Sequence, residues 1–248
     1  MGNTKSDRIR TLLLLMFCAF ALASLCFAVK PVVYKLEKTI QFQNDTAEFV
    51  KEKETATHMS QIRREPLPYS QLHEDMVFYN RKLVYNRQKN LSSKSAYEAS
   101  SFKLTDYGLP DEKFGIISIP IISLEMPLYL GASEENMANG AAVLTETSIP
   151  IGGSNTNAVI AGHRGFGGYK YFKDIDQLQI GDEVIITNIW DELHYTVSDI
   201  QVVTPNDVNA VLIQPDKDMI TLLSCHPYAS GGKFRYLVFC ERVSDEGV

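Results

Sequence analysis

The feature that most constrains the fold is a series of short strand-like runs that starts at Phe114 and fills the second half of the chain. These runs are rich in β-branched residues, and Gly, Pro, Asn or Asp separate them: FGIISIP, MPLYLG, TNAVIAG, EVIITNI, HYTVSDIQVV, DMITLLSC and RYLVFCERV. Many short strands with turn residues between them are typical of closed barrels and of sandwiches. The pattern therefore predicts a mainly β domain over residues 113–248, built as a closed antiparallel barrel or as a sandwich.

The chain before these strands is predicted to be helical. Residues 34–64 are rich in Lys, Glu, Gln and Thr without strand-like alternation, and the prolines within residues 66–68 end this helix. A second helix is predicted over residues 70–88, because apolar residues recur there at spacings of three and four. They are Leu72, Met76, Tyr79 and Leu83. Residues 90–107 are polar and rich in Ser, which completes a helical extension and loop over residues 30–112.

Residues 11–29, TLLLLMFCAFALASLCFAV, carry no charge and have the length of a membrane-spanning helix. Basic residues lie just before this segment, and the asymmetry places residues 1–10 in the cytoplasm and the rest of the chain outside. A cleaved signal peptide is the alternative, although its apolar core usually has only about 7–15 residues. Both alternatives place the chain from Lys30 onward outside the cytoplasm, and we expect a single-pass protein of the cell membrane.

The charge balance argues against nucleic acid as a partner. With 24 basic and 30 acidic residues, the chain has a formal net charge of -6. Non-specific binding to nucleic acid needs a basic surface that replaces the counterions of the phosphates. We therefore expect no nucleic-acid partner.

Three polar residues lie at predicted strand ends, where a barrel exposes its rim. His163 follows the strand of VIAGHRG and has glycine close on both sides, and Cys225 ends the strand ITLLSC. Arg235 opens the next strand, after the turn-forming residues 229–232. A hairpin centred near Ser230 places Cys225 opposite Arg235, close enough for their side chains to share one site.

Cys225 and Cys240 are the only cysteines in the predicted exported part, and in an oxidising compartment such a pair is first read as a disulfide. The hairpin register argues against that bond, because it pairs Cys240 with about Ile220, roughly 17 Å along the strand from Cys225 at about 3.3 Å per residue. A disulfide requires Cα atoms within about 7 Å of each other. Cys225 is therefore expected to carry a free thiol.

A thiol, an imidazole and a guanidinium form a sufficient set for cutting an amide through a thioester. A thiol reacts as the thiolate, which a neighbouring imidazolium or guanidinium stabilises. His163 can return a proton to the leaving amine. Arg235 stays protonated and offers several donors to a developing oxyanion or to a substrate carbonyl.

Metal binding is the rival use of cysteine and histidine. Catalytic zinc usually takes three protein ligands, but Cys225 and His226 are adjacent, and successive strand residues face opposite sides. The chain also lacks HExxH and paired CxxC motifs. We expect neither a metal site nor a cofactor.

The same residues resemble a known family. AGHRG with the following YFKDIDQLQIGD, and TLLSCHPY with the following FRYLV, are similar to motifs of the sortases of Gram-positive bacteria, and the resemblance covers roughly residues 114–243. It implies a sortase-type eight-stranded β-barrel, preceded here by a transmembrane helix and a helical extension. It also implies cleavage of an LPxTG-like sorting signal between Thr and Gly, with transfer of the acyl group to an amine.

By this resemblance, Cys225 is the nucleophile, His163 is the general acid and base, and Arg235 steadies the substrate and the oxyanion. Arg242 is a second choice for the arginine, because the turn between Cys225 and Arg235 departs from the family pattern. Ser224 stands where that pattern has Thr, a change that keeps a hydroxyl.

The resemblance is greatest to class C, the pilin-polymerising sortases, in GASEENMANGAAVL, around HRG and in the helical extension. It implies substrates that bear a sorting signal, pilin subunits among them, and a pilin lysine as the acceptor amine. HPYASGGKFRYLVFCER is also similar to class B, and wall-anchoring sortases use an amine of a cell-wall precursor instead. Class C members carry an Asp-Pro-aromatic lid before the barrel, which residues 90–114 lack, so we expect an open groove or one covered by an unrelated segment.

Two alternatives to transpeptidation stay open. A cysteine peptidase would use the same three residues and hydrolyse the thioester, whereas a non-catalytic surface module would keep Cys225 for structure alone. Titration with acceptor amines distinguishes the first alternative, and the reactivity of the Cys225 thiol distinguishes the second.

Overall fold

The computed structural model describes residues 4–91, 99–165, 169 and 171–243. The described residues divide into two compact units. One holds the chain up to Ile40 together with Tyr169, and the other holds the rest. The first helix, α1 (Thr4–Arg63), contributes to both units.

The part of α1 in the first unit carries the apolar segment of the sequence. Its apolar side chains are exposed, for example Leu12 and Phe20 at 60% and 74%. Within the described residues, this helix is long and apolar enough to cross a membrane, by length and composition. It is consistent with the predicted membrane anchor. The helix predicted over residues 34–64 is also confirmed, as the continuation of α1 to Arg63.

In the second unit, α2 (Ser70–Asn86) packs one face against the rest of the unit, as its spacing predicts. Leu72, Met76 and Leu83 are buried on that face, and Tyr79 is half-buried. Asn80 is also buried, and its side-chain amide donates to the carbonyl of Ile149 at 3.0 Å and accepts from its N–H at 2.8 Å. This pair of bonds joins α2 to the strand-rich part of the unit.

The described part of the chain forms eight strands that close into a barrel in the order β1-β2-β3-β4-β7-β8-β6-β5. The strands are β1 (Lys113–Ile119), β2 (Leu124–Leu130), β3 (Ala141–Val143), β4 (Thr156–Ala161), β5 (Glu183–Asn188), β6 (Glu192–Val203), β7 (Asp218–His226) and β8 (Phe234–Arg242). The eight-stranded barrel and all seven strand-like runs of the sequence are confirmed. The three-residue β3 is the strand that the sequence pattern did not reveal.

The prediction of an entirely antiparallel barrel is wrong. β2 pairs with β3 in parallel, and β4 pairs with β7 in parallel. The chain between β2 and β3 passes through a short helix, α3 (Glu134–Asn139), and such a crossover is what parallel neighbours require. The parallel pairing of β4 with β7 brings the ends of these two strands to the same rim of the barrel.

The strands that reach this rim are buried on both faces. Every residue of β4 is buried, and on β7 Met219, Ile220 and Leu222 are all buried although they alternate in direction. One face of these two strands packs in an apolar cluster that includes Leu91, which follows α2. Burial on both faces holds β4 and the middle of β7 in place below the rim.

We expect Asn80→Ala to lower the free energy of unfolding of the barrel unit by about 2–4 kcal/mol, because it leaves a buried N–H and a buried carbonyl of Ile149 without partners. Urea unfolding of the full chain in detergent measures this. The fluorescence of Trp190 follows it, since the indole N–H of Trp190 donates to the carbonyl of Pro68, just before α2, at 2.7 Å. Asn86→Ala is the matched control, because Asn86 is exposed on the same helix. Equal unfolding midpoints for the two variants would contradict the assigned role of Asn80.

Candidate active site

The register of the strands brings the three predicted site residues to one rim of the barrel. Cys225 on β7 is directly opposite Arg235 on β8, as the hairpin centred near Ser230 predicts. Ala161, the last residue of β4, pairs with Leu223 of β7, and the N–H of the next residue donates to the Leu223 carbonyl at 3.1 Å. Two residues beyond this pair, His163, just after β4, therefore comes beside Cys225 on β7.

All three residues line one cleft with a volume of about 610 Å³. Apolar side chains form much of the remaining surface, including Leu91, Met137, Leu144, Val208, Leu223 and Leu237. The connection between β6 and β7 contributes residues 204–208 to one wall. The cleft thus offers an apolar surface that leads to a thiol, an imidazole and a guanidinium.

The structure distinguishes the two cysteines of the barrel. Cys225 is exposed in the cleft, whereas Cys240 is fully buried opposite Ile220. Both cysteines are free, so the prediction that they form no disulfide is confirmed. Burial raises the pKa of the Cys240 thiol well above its usual range. Cys225 is therefore the thiol of this pair that a substrate can reach.

His163 is half-buried at the edge of the cleft. Its ring meets the ring of Tyr171 edge to face, with 5.7 Å between the centroids, and its carbonyl accepts from the N–H of Phe172 at 2.9 Å. Burial lowers the pKa of His163. At neutral pH the imidazole is therefore uncharged and able to accept a proton.

The side chain of Arg235, the second residue of β8, is held by backbone carbonyls where the turn after β7 meets β8. Its Nη1 donates to the carbonyls of Gly232 and Phe234, at 2.8 and 3.1 Å. Gly232 has a φ of 80°, and a Cβ built on it would lie 3.0 Å from Arg235 Nη1 and 3.3 Å from Cys225 Sγ. The guanidinium and the thiol therefore flank one point beside Gly232, where a side chain would intrude. The sequence indicated only a turn at this glycine.

Arg242, the second choice for the arginine, lies at the other end of β8. Its guanidinium carbon is 5.7 Å from the ring centroid of Tyr195. Seven residues of strand separate it from Arg235, roughly 23 Å at about 3.3 Å per residue. It does not line the cleft that contains Cys225.

The second histidine near the thiol, His226, packs against Tyr236, with 5.4 Å between the ring centroids and 34° between the ring planes. It does not line the cleft. Among the described residues, no group of three or more His, Cys, Asp or Glu side chains could hold a metal ion.

The segment between α2 and the barrel packs along α2 over its described part. The ring of Phe102 lies 5.6 Å from that of Tyr79, and the hydroxyl of Tyr107 donates to Asp75 at 2.8 Å. None of residues 99–107 lines the cleft. Residues 92–98 lie outside the described residues, so the expectation of an open groove, or of one covered by an unrelated segment, stays a prediction.

Gln88 connects α2 to two loops near the cleft, a contact that sequence reasoning missed. Its side-chain carbonyl accepts from the N–H of Ile213 at 2.8 Å, and its amide nitrogen donates to the carbonyl of Glu146 at 3.2 Å. The side chain is buried. The helical extension therefore supports the loop after β6 that forms one wall of the cleft.

We expect His163 and His194 to titrate on opposite sides of the ordinary histidine pKa of about 6.5. Burial lowers the pKa of His163, whereas the hydrogen bond to Glu183 raises that of His194. Histidine-selective NMR on the full chain in detergent measures both midpoints, and His163→Gln and His194→Gln assign the signals. Midpoints on the same side of the ordinary value would contradict the environments described for the two rings.

A comparison with known protein families gives a match over nearly the whole barrel. A family model described as the sortase domain matches residues 117–243, from within β1 to just after β8. The chain belongs to the sortase family. Sortases are cysteine transpeptidases, and the predicted family and barrel are confirmed.

Two curated sortases illustrate the similarity in sequence. Sortase A of Bacillus anthracis is 36% identical over 124 residues, which cover 50% of this chain and 57% of that sortase. Sortase D of Bacillus subtilis is 25% identical over 169 residues, 64% of this chain and 82% of the relative. The chain thus spans little more than half the length of the first of these relatives.

Solved sortase structures extend the similarity to more of the chain. Sortase C-1 of Streptococcus pneumoniae is 30% identical, with a TM-score of 0.62, over 81% of this chain and 98% of that one. Sortase C1 of GBS pilus island 1 is 28% identical, with a TM-score of 0.65, over 77% and 96% of the two chains. These structural neighbours are class C sortases, and the share of this chain that they cover shows that the similarity extends beyond the barrel.

Proposed function

We propose that this sortase cleaves an LPxTG-like sorting signal through a thioester on Cys225 and transfers the acyl group to an amine, the side chain of a pilin lysine. The observation that supports this most is the strand register, which gathers His163, Cys225 and Arg235 at one end of an apolar cleft. The same positions carry the family's two motifs.

The first half of the proposed reaction forms the thioester. Neutral His163 accepts the thiol proton as the sulfur of Cys225 attacks the threonine carbonyl carbon of the signal. Arg235 donates hydrogen bonds to the oxygen on which negative charge develops. When the Thr–Gly bond breaks, His163 gives the proton to the glycine nitrogen, so that the leaving product is a neutral amine.

The second half transfers the acyl group. The acceptor amine attacks the thioester carbonyl, His163 takes one proton from its nitrogen, and the Cys225 sulfur leaves and recovers a proton from His163. The product is an amide, and the enzyme returns to its starting state. Water in place of the amine would give hydrolysis, which makes the choice of acceptor the decisive measurement.

Class C structures support pilin as the partner. The neighbours include a pilus-related sortase C of Group B Streptococcus, 32% identical with a TM-score of 0.57 over 69% of this chain and 91% of that one. The helical extension packs on the barrel through Asn80 and Gln88. We therefore place sorting-signal-bearing surface proteins, pilin subunits in particular, as the partners.

Anchoring of proteins to the cell wall is the second candidate. The curated relative Sortase A of Bacillus anthracis shares 36% identity with this chain over 124 residues, and the sequence around Cys225 and Arg235 also resembles class B. In this case the acceptor is an amine of a cell-wall precursor.

The proposed location follows from the apolar part of α1. Lys5, Arg8 and Arg10 precede residues 11–29, and basic residues favour the cytoplasmic side of a membrane. The proposed organisation is a cytoplasmic end over residues 1–10, an anchor over 11–29, a helical extension over 30–112 and an extracellular catalytic barrel over 113–248.

Competition between acceptors tests the proposal. The full chain in detergent is incubated with an LPxTG-type peptide and equal concentrations of a lysine-containing pilin peptide and a cell-wall-type amine, and mass spectrometry follows the products. We expect the adduct with the lysine side chain to dominate. A dominant cell-wall-type adduct would favour wall anchoring, and hydrolysis alone at saturating amine would contradict transpeptidation.

A further inference from the structure

Three residues that directly follow the candidate catalytic residues form a second layer behind the cleft. In chain order they are Arg164, His226 and Tyr236. Along a strand, successive residues face opposite sides, and none of these three lines the cleft, whereas Gly162 and Ser224 do. Ser224 is opposite Tyr236, and its hydroxyl donates to the carbonyl of Gly162 at 2.8 Å. The ends of β4, β7 and β8 are thus connected directly beside the candidate catalytic residues.

Arg164 lies in this layer. Its side chain is only 5% exposed, and its Nη2 lies 2.5 Å from Oδ2 of Asp176. The guanidinium carbon is 5.5 Å from the ring centroid of Tyr236. Arg164 directly follows His163. It therefore connects the chain at His163 both to Tyr236, which directly follows Arg235, and to the loop that carries Asp176.

Stability alone does not account for an arginine here. Within the described part of the chain, its Nε and Nη1 atoms are buried without a hydrogen-bond partner, which is unfavourable. A buried ion pair can often be replaced by apolar side chains of similar size without loss of stability. What an apolar side chain cannot reproduce is a planar cation held by Asp176 and stacked on Tyr236.

We propose that Arg164, held by Asp176, is a positioning residue that sets the placement of His163 and Arg235 around Cys225 from the side opposite the cleft. The inference rests on the proposed function. The ion pair holds the chain that follows β4, and hence the His163 ring, while the stack on Tyr236 holds the start of β8, and hence the Arg235 side chain.

The kinetic test compares Arg164→Met with the parent, using the full chain in detergent and an LPxTG-type peptide. Methionine fills much of the buried space without charge. We expect an unfolding midpoint close to that of the parent and a kcat lower by about 10–100-fold, because small displacements of reacting groups reduce rates strongly. KM should stay within about twofold, since the cleft surface is unchanged. Arg164→Lys, which keeps the charge, should recover part of kcat. Arg81→Met, on the exposed side of α2, is the matched control.

A second measurement needs no substrate. We expect the NMR titration midpoint of His163 in Arg164→Met to rise toward the ordinary histidine value, because the displaced ring gains water. Arg81→Met should leave the midpoint unchanged. If the parent cleaves no sorting peptide, that outcome counts against the proposed function. The His163 midpoints then still decide the role of Arg164, because they need no substrate.

One further variant covers the case in which Arg164→Met does not fold. Asp176→Asn leaves the arginine in place and removes the ion pair, and the Asp176 side chain is about half exposed, at 48%. We expect it to shift kcat and the His163 midpoint in the same directions by smaller amounts. Folded variants with the parent kcat and the parent His163 midpoint would overturn the proposal, as would a loss of stability with an unchanged kcat per folded molecule.

Discussion

Replacing Cys225 by alanine is expected to abolish cleavage of sorting peptides, with a fall in kcat of at least about 10⁴-fold. The reason is that no other thiol of the barrel is accessible, since Cys240 is fully buried on β8. Peptide cleavage by the full chain in detergent, followed by chromatography and mass spectrometry, measures the loss. A thiol reagent should label the native parent barrel at Cys225 and leave Cys240 unmodified.

Cys240→Ala is the matched control for this prediction. It removes the other thiol of the barrel and should lower the free energy of unfolding by about 1 kcal/mol through the small cavity that it leaves. It should keep the parent kcat. Full activity of Cys225→Ala would contradict the assignment of the nucleophile, and would favour a non-catalytic role for this thiol.

Replacing Arg235 by lysine is expected to lower kcat/KM by about 100-fold, because losing one donor to a developing oxyanion typically costs about 10²–10³-fold. Lysine keeps the positive charge but lacks the planar fork of donors. In the parent, Nη1 of Arg235 is held by the carbonyls of Gly232 and Phe234, and lysine cannot reproduce this arrangement. Steady-state kinetics with a sorting peptide measure the change.

Arg242→Lys is the natural comparison for the second arginine. Arg242 stacks on Tyr195 at the far end of β8, so its replacement should affect stability and leave kcat/KM near the parent value. A large loss of activity in Arg242→Lys together with an active Arg235→Lys would show that the arginine has been assigned to the wrong position.

Much of the barrel could be predicted from sequence because its strands are short, rich in β-branched residues and bounded by turn residues. β3 was missed because its three residues, Ala141–Val143, are too few to form a recognisable strand-like run. Strand direction was also beyond the pattern, since a short apolar run does not show which other strand it pairs with or in which direction. The crossover through α3 and the pairing of β4 with β7 decided it.

The candidate site was partly predictable for a similar reason. The turn centre near Ser230 was enough to pair Cys225 with Arg235, because a short hairpin sets its own register. The position of His163 beside Cys225 depends on the parallel pairing of β4 with β7, which is a long-range contact. The sequence pointed to it only through the strand-end position of both residues and through the family resemblance.

The supporting residues were missed because their environment is tertiary. Charged and amide side chains are usually exposed, so the sequence gives no signal that Arg164 and Gln88 are buried. Arg164 does lie within the HRG motif, directly after His163, and that position was the one available hint.

Trapping the acyl-enzyme tests the proposed thioester most directly. The full chain in detergent is mixed with an LPxTG-type peptide without added amine, quenched in acid, and examined by intact-mass and peptide-level mass spectrometry. We expect a mass increase equal to the acyl fragment that ends at threonine, located on Cys225, absent in Cys225→Ala and removed by added amine. An acyl adduct on another residue, or cleavage of the peptide by Cys225→Ala, would contradict the proposed mechanism.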